Sequence, residues 1–168
     1  MERAVKQKQP NSKMCFVCGL SNDFGLKSRF YELENGELLA LFTPTVEHQG
    51  YPGRLHGGLA AAILDETIGR AVMIPSGGTV WGVTIDFSMR LRKPIPLGDQ
   101  IRVVARITRD RSRAFEGSGE ILLSDGTAAI TATGKYVKMD ISNITDTDFV
   151  DEAWEVVGDE KDIDSIDI

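Results

Sequence analysis

Apolar and polar residues alternate through the second half of the chain. Val103, Ala105 and Ile107 share one side of a segment, as do Ile130, Ala132, Gly134 and Tyr136 of another. A period of two predicts strands, here over 79–91, 100–109, 114–123 and 127–138, with turns at 94–99, 109–112 and 124–126. Two shorter strands are expected at 26–33 and 37–43, joined by the hairpin signal Asn35-Gly36 and closed by Pro44. Between the two sets lies a run of another kind. Nearly every position from Leu59 to Leu64 is apolar, and Ala60, Ala61 and Ala62 carry no branched bulk. This predicts a helix over about 58–73, covered on most sides and stopped by Pro75-Ser76-Gly77-Gly78. One long helix with about six mostly antiparallel strands is an α+β domain.

Composition sharpens the limits of that domain. At 168 residues and 42% hydrophobic, the chain suits one globular domain. No apolar stretch approaches the ~18 residues of a spanning helix. Residues 1–13 are polar and lack the apolar segment of a secretory signal, so a cytoplasmic protein is expected. The net charge of −6 is unevenly spread: residues 141–168 hold ten acids against Lys161, leaving 1–140 mildly basic. The expected division is a flexible N-terminus (1–14), a folded body (15–140) and an acidic tail (141–168). The overall acidity argues against a nucleic-acid partner.

The candidate chemistry centres on the helix. Asp65 and Glu66 interrupt its apolar run, and successive helix positions point ~100° apart, so the two face different ways. Glu66 has Arg70 four residues on and reads as a surface ion pair. Asp65 has Gly69 there and no local partner, which suits either a helix-edge acid at the rim of the core or a carboxylate in an apolar site acting as base or nucleophile. Gly57-Gly58 sits at the helix start, where free N–H groups can hold an anion or a developing oxyanion. Gly57 and Asp65 are about 12 Å apart along the axis at ~1.5 Å per residue, too far to touch one carbonyl. Either they serve different ends of a ligand, or a second copy of the helix completes the site at a symmetric dimer interface.

Cys15-Phe16-Val17-Cys18-Gly19 has the spacing of half a zinc site or a redox pair. Zinc would need His48 and His56, or acids, to reach four ligands. No metal is assigned, and the pair reads as two partly buried thiols in a turn.

His56-Gly57-Gly58, with Asp65 nine positions after the histidine, resembles the hotdog-fold acyl-CoA thioesterases of the small phenylacetate-pathway type. The preceding Gln49-Gly50-Tyr51-Pro52-Gly53-Arg54-Leu55 resembles that group's loop, and Trp81-Gly82-Val83-Thr84-Ile85-Asp86-Phe87 its next strand. The resemblance covers roughly 15–140. It implies a hotdog fold: a curved antiparallel sheet wrapped around the helix, and a homodimer or a pair of dimers.

It also implies roles. Asp65 would be base or nucleophile in thioester hydrolysis, Gly57 N–H would polarise the carbonyl, and Thr84 would position the water. His56 and Gly58 would shape the substrate site. The family's usual asparagine, six before the histidine, is Gly50 here, which leaves Gln49 ahead of His48 as substitute. Arg90 and Arg92 are candidates for the CoA phosphates. No cofactor is expected. The competing readings are a non-catalytic acyl-CoA binding hotdog protein and a hotdog dehydratase or hydratase.

Overall fold

The apolar run after His56 forms helix α1, Gly57–Arg70, in the computed structural model, which describes residues 1–148 and 150–168. Ile63, Leu64 and Ile68 are fully buried on it, each worth about 1.5–3 kcal/mol relative to exposure. The helix ends three residues short of expectation. Ala71 N–H donates to Ile68 O, and Pro75 offers no N–H to carry the ladder on, so Met73–Ser76 forms a separate short helix, α2. Gly77 (φ 63°) caps α2 in the left-handed region.

Among the described residues the sheet is antiparallel throughout and has eight strands where about six were expected. In chain order they are β1 (Glu2–Lys8), β2 (Arg29–Leu33), β3 (Leu38–Phe42), β4 (Trp81–Leu91), β5 (Ile101–Asp110), β6 (Ala114–Leu122), β7 (Ala128–Met139) and β8 (Ser165–Asp167). Their spatial order is β4-β7-β6-β5-β3-β2-β1-β8. The six expected strands are all present, and the Asn35-Gly36 hairpin joins β2 to β3. The inner face curls round α1 and builds the main core from Phe30, Leu38, Ala40, Val103, Phe115 and Tyr136, among others. Helix and sheet approach closely because β6 presents Gly117 to the helix. A Cβ there would stand 2.5 Å from Ile68 Cγ2.

The two extra strands come from segments read as lying outside the body. The physical reason lies in β3. All five of its residues, Leu-Leu-Ala-Leu-Phe, are buried, so both of its faces need cover. Tyr31, Leu33, Leu39, Leu41, Val104 and Leu122 form a second core on the outer face, capped by Val5, Ile163, Ile166 and Ile168 from the two termini. Charge assists: Lys8 pairs with Asp162 at 2.6 Å and Arg29 with Asp159 at 3.4 Å. The acidic tail is held on the basic body. It docks in extended and turn conformations, with Glu155 bridged to Asn11, and Trp154 packs against the main core.

Candidate functional site

Asp65 lies two turns into α1, on the side facing β4 and β7. Its Oδ1 accepts two hydrogen bonds, from Thr84 Oγ1 at 2.8 Å and from Tyr136 OH at 3.0 Å. The second oxygen of the carboxylate accepts no bond among the described residues. Thr84 reaches the helix because β4 carries a bulge. Its register against β7 shifts between Thr84 and Asp86, so Thr84 opposes the inward Tyr136 while Asp86 opposes Lys135. Without the extra residue, Thr84 would share a face with Asp86, Ser88 and Arg90.

Tyr136 is fully buried and stacks on Phe115 (4.9 Å between centroids, 11° between planes). Burial first, then the neighbouring Asp65 charge, push its phenol far above the ordinary range, so it stays protonated and donating. The sequence reading placed Tyr136 on the correct strand face and gave it no role. The available signal was its phenol: a buried tyrosine needs a partner, and the helix acid was the polar group without one.

The helix start is built as expected. His56 is the N-cap, and its Nδ1 accepts from Gly58 N at 2.9 Å. That bond uses the Gly58 N–H and leaves Gly57 N–H without an acceptor among the described residues. Gly57 also lies beside Leu91 at the far end of β4, where a Cβ would be 3.4 Å from Leu91 Cδ2. One edge strand thus has Asp65 beside Thr84 near its start and Gly57 beside Leu91 at its end.

The loop before α1 accounts for Gly50, where the resemblance led to an asparagine being expected. A Cβ on Gly50 would stand 3.0 Å from His56 Cα, so the side chain is forgone and the loop closes on the helix start. Gln49 Oε1 accepts from Gly53 N at 2.7 Å and tightens this loop, leaving its amide N–H groups exposed. His48 is buried and satisfied at both nitrogens: Nδ1 accepts from Thr45 N at 3.0 Å, and Nε2 donates to Phe24 O at 3.1 Å. Arg90 and Arg92 are exposed and stand apart from the Asp65 group. Arg90 opposes Thr131 on the outer face of the sheet, while Arg92 follows the end of β4.

Glu66 differs from expectation. Its partner Arg70 is only 4% exposed, so the pair (Nε–Oε1 2.7 Å) is not a solvated one. The guanidinium lies between the rings of Phe30 (4.2 Å) and Trp154 (4.6 Å) and donates to Pro10 O. Cys15 and Cys18 sit beside this pair. A hydrogen bond from Cys15 holds the Cys18 thiol below its ordinary range despite burial. A cavity of about 570 Å³ runs from these residues to Thr84, walled by Trp81, Val83, Ile144 and Trp154.

Comparison with known proteins fits this architecture. Residues 52–130 match the family described as the thioesterase superfamily. Acyl-coenzyme A thioesterase THEM4 of Rattus norvegicus is 29% identical over 137 residues, 80% of this chain and 58% of that protein. Human acyl-coenzyme A thioesterase 13 is 25% identical over 103 residues, 61% of this chain and 72% of that one. The chain spans about half the length of the THEM4 relatives it matches. Among solved structures, a thioesterase superfamily protein superposes with TM-score 0.68 at 28% identity, covering 74% of this chain and 63% of its own. The Escherichia coli PaaI protein from the phenylacetic acid degradation operon shares the fold, with TM-score 0.61 at 16% identity over 68% of this chain and 80% of that one. With its sheet curled round a long helix and this set of matches, the chain is similar to the thioesterase superfamily in fold and, over residues 52–130, in sequence.

Proposed function

We propose that this protein hydrolyses acyl-CoA thioesters, as the names of its relatives state for those proteins. The observation that carries the reading is the hold on Asp65. Two hydroxyl donors fix Oδ1 and leave the other oxygen to act. Thioester hydrolysis needs a carboxylate that attacks or activates water, and donors where negative charge develops. Asp65 supplies the first and the unengaged Gly57 N–H, at the positive end of α1, the second. Thr84 orients the carboxylate from which the water is activated.

The working unit is a homodimer paired through β4. That strand is an eleven-residue sheet edge, with Ile85 62% and Leu91 57% exposed. Such an edge is a template for another strand. Antiparallel pairing of two copies about an axis at Ser88, with Ile85 taken up by the bulge, sets Thr84 of one across from Leu91 of the other. Asp65 of one subunit then meets Gly57 of its partner, which answers the distance along the helix. His56 shapes the partner-facing loop, and Gln49 offers its amide donors to the substrate. Arg92, just past Leu91, meets the CoA phosphates.

The cavity beside Thr84 suits a short, medium or aromatic acyl group. The protein works on soluble substrate in the cytoplasm. No helix among the described residues is long and apolar enough to cross a membrane.

Release of free thiol from a panel of acyl-CoAs, wild type beside Asp65→Asn, tests the reading. Hydrolysis lost in the variant supports it. No release by wild type across short, long and aromatic chains overturns it in favour of acyl-CoA binding without turnover.

A further inference from the structure

The cysteines, Glu66 and Arg70 form a group to which the hydrolytic reading gives no chemical step, although Cys15, Cys18 and Glu66 line the cavity assigned to the acyl group. The two Sγ atoms and one carboxylate oxygen of Glu66 all lie within 4.8 Å of one another. Metal–sulfur bonds of ~2.3 Å and metal–oxygen bonds of ~2.0 Å place the corners of a tetrahedral site roughly 3.3–3.8 Å apart. Small side-chain adjustments would close these three atoms on one ion.

The backbone round the cysteines favours this. Cys18 N–H donates to Cys15 Sγ at 3.4 Å, and Gly19 N–H donates to Cys15 O at 2.7 Å. A side chain at 19 is impossible in this turn, since a Cβ would stand 2.4 Å from Cys15 O. Ser12 Oγ lies 3.3 Å from Cys18 Sγ. Donors aimed at sulfur stabilise thiolates, and partners behind the ligands hold them in place. Arg70 does the same for Glu66, gripping Oε1 at 2.7 Å and leaving acceptor capacity on the carboxylate. With both sulfurs as thiolates, Glu66 ionised and Arg70 charged, a divalent cation brings the group to neutrality.

We propose that Cys15, Cys18 and Glu66 bind a thiophilic divalent cation of the zinc class. Sulfur donors select such a metal over magnesium or calcium. Three protein donors leave the fourth position for water, and the cavity bordering all three residues has room for it. The ion ties the N-terminal turn to α1 at the residue following Asp65, so it braces the helix that carries the carboxylate. The histidines proposed from sequence to complete such a site are elsewhere: His48 is saturated, and His56 Nδ1 caps α1.

The test reads metal directly, without activity. Full-length protein is stripped with chelator under reducing conditions and titrated with Co²⁺. Expected are one equivalent per chain, visible bands of a tetrahedral ion, a near-ultraviolet thiolate-to-cobalt band, and displacement of cobalt by Zn²⁺. Cys15→Ser, at the half-buried position, should lose the thiolate band or weaken binding at least about 100-fold, and Glu66→Gln should weaken it about 10–100-fold. Circular dichroism shows that each variant is folded. Absence of the band in folded, fully reduced wild type would overturn the site. So would binding unchanged in both variants.

Discussion

Tyr136 OH stands 3.0 Å from Asp65 Oδ1 and 3.2 Å from the Asp65 carbonyl oxygen, bridging β7 to the helix that carries the acid. The two residues are 71 apart in sequence. The phenol fixes the carboxylate without adding a charge beside it. Tyr136→Phe keeps the ring stacked on Phe115 and removes only the donor. A hydrogen bond to a charged group contributes about 1.5–3 kcal/mol. The expected loss in kcat for acyl-CoA hydrolysis is about tenfold or more, with KM little changed. Steady-state kinetics with thiol detection measures it.

Asp65→Asn should lower hydrolysis by about 10²–10⁴, with the circular dichroism spectrum unchanged. Asparagine accepts the same two hydroxyl bonds and cannot take a proton or attack. Hydrolysis at the wild-type rate would remove Asp65 from the chemistry.

Gly57→Pro isolates the proposed carbonyl donor. Proline is favoured at the first helical position, and His56 already has the extended backbone (φ −64°, ψ 133°) that a following proline requires. The helix should form while its free N–H is gone. Loss of one oxyanion donor costs about 10²–10³ in kcat. Mixing unfolded Gly57→Pro and Asp65→Asn chains and refolding them together tests the shared site. Each mixed dimer would carry one intact pairing, so roughly a quarter of wild-type activity should return. No recovery from mixed dimers would place both groups in one subunit's site.

Alkaline pH should weaken the fold through Tyr136. Its pKa is raised in the native state above the ordinary 10, chiefly by burial. A raised native pKa gives stability that is whole below the unfolded value and is lost as pH rises from there through the native one. Denaturant unfolding at pH 8, 10 and 11 should show stability falling above about pH 10, with a shallower fall in Tyr136→Phe. An equal fall in both proteins would assign the loss to other groups.

Truncation after Met139 should do more than shed charge. It removes Trp154 from Arg70 and uncovers Tyr31, Leu39 and Leu41 on the outer face. The truncated chain is expected to unfold at a lower temperature and to aggregate. A milder variant, Ile163→Ser with Ile166→Ser, should lower the melting temperature without touching the cavity wall. Differential scanning calorimetry checks both. An unchanged melting temperature in the truncated chain would show that the outer face needs no cover.

The sequence by itself determined the central helix, the six strands of the curved sheet and the register of acid to glycine along α1. These are local signals: alternation, alanine without branching, a turn at Asn35-Gly36, and a capped helix start. It also singled out Asp65, because an acid in an apolar run without a partner four residues on is visible in one dimension. The apolar run of β3 already required cover on both faces, but which segments supply it depends on contacts between the ends of the chain. Only the tertiary structure decided that the termini do so. Tyr136 joined Asp65 through a cross-strand register that one bulged residue in β4 resets, and a bulge leaves no clear mark in an alternating pattern. The grouping of Glu66 with Cys15 and Cys18 was likewise hidden. It forms where a turn near the N-terminus packs on the helix, and Arg70, legible as a surface partner from spacing alone, is buried there between Phe30 and Trp154.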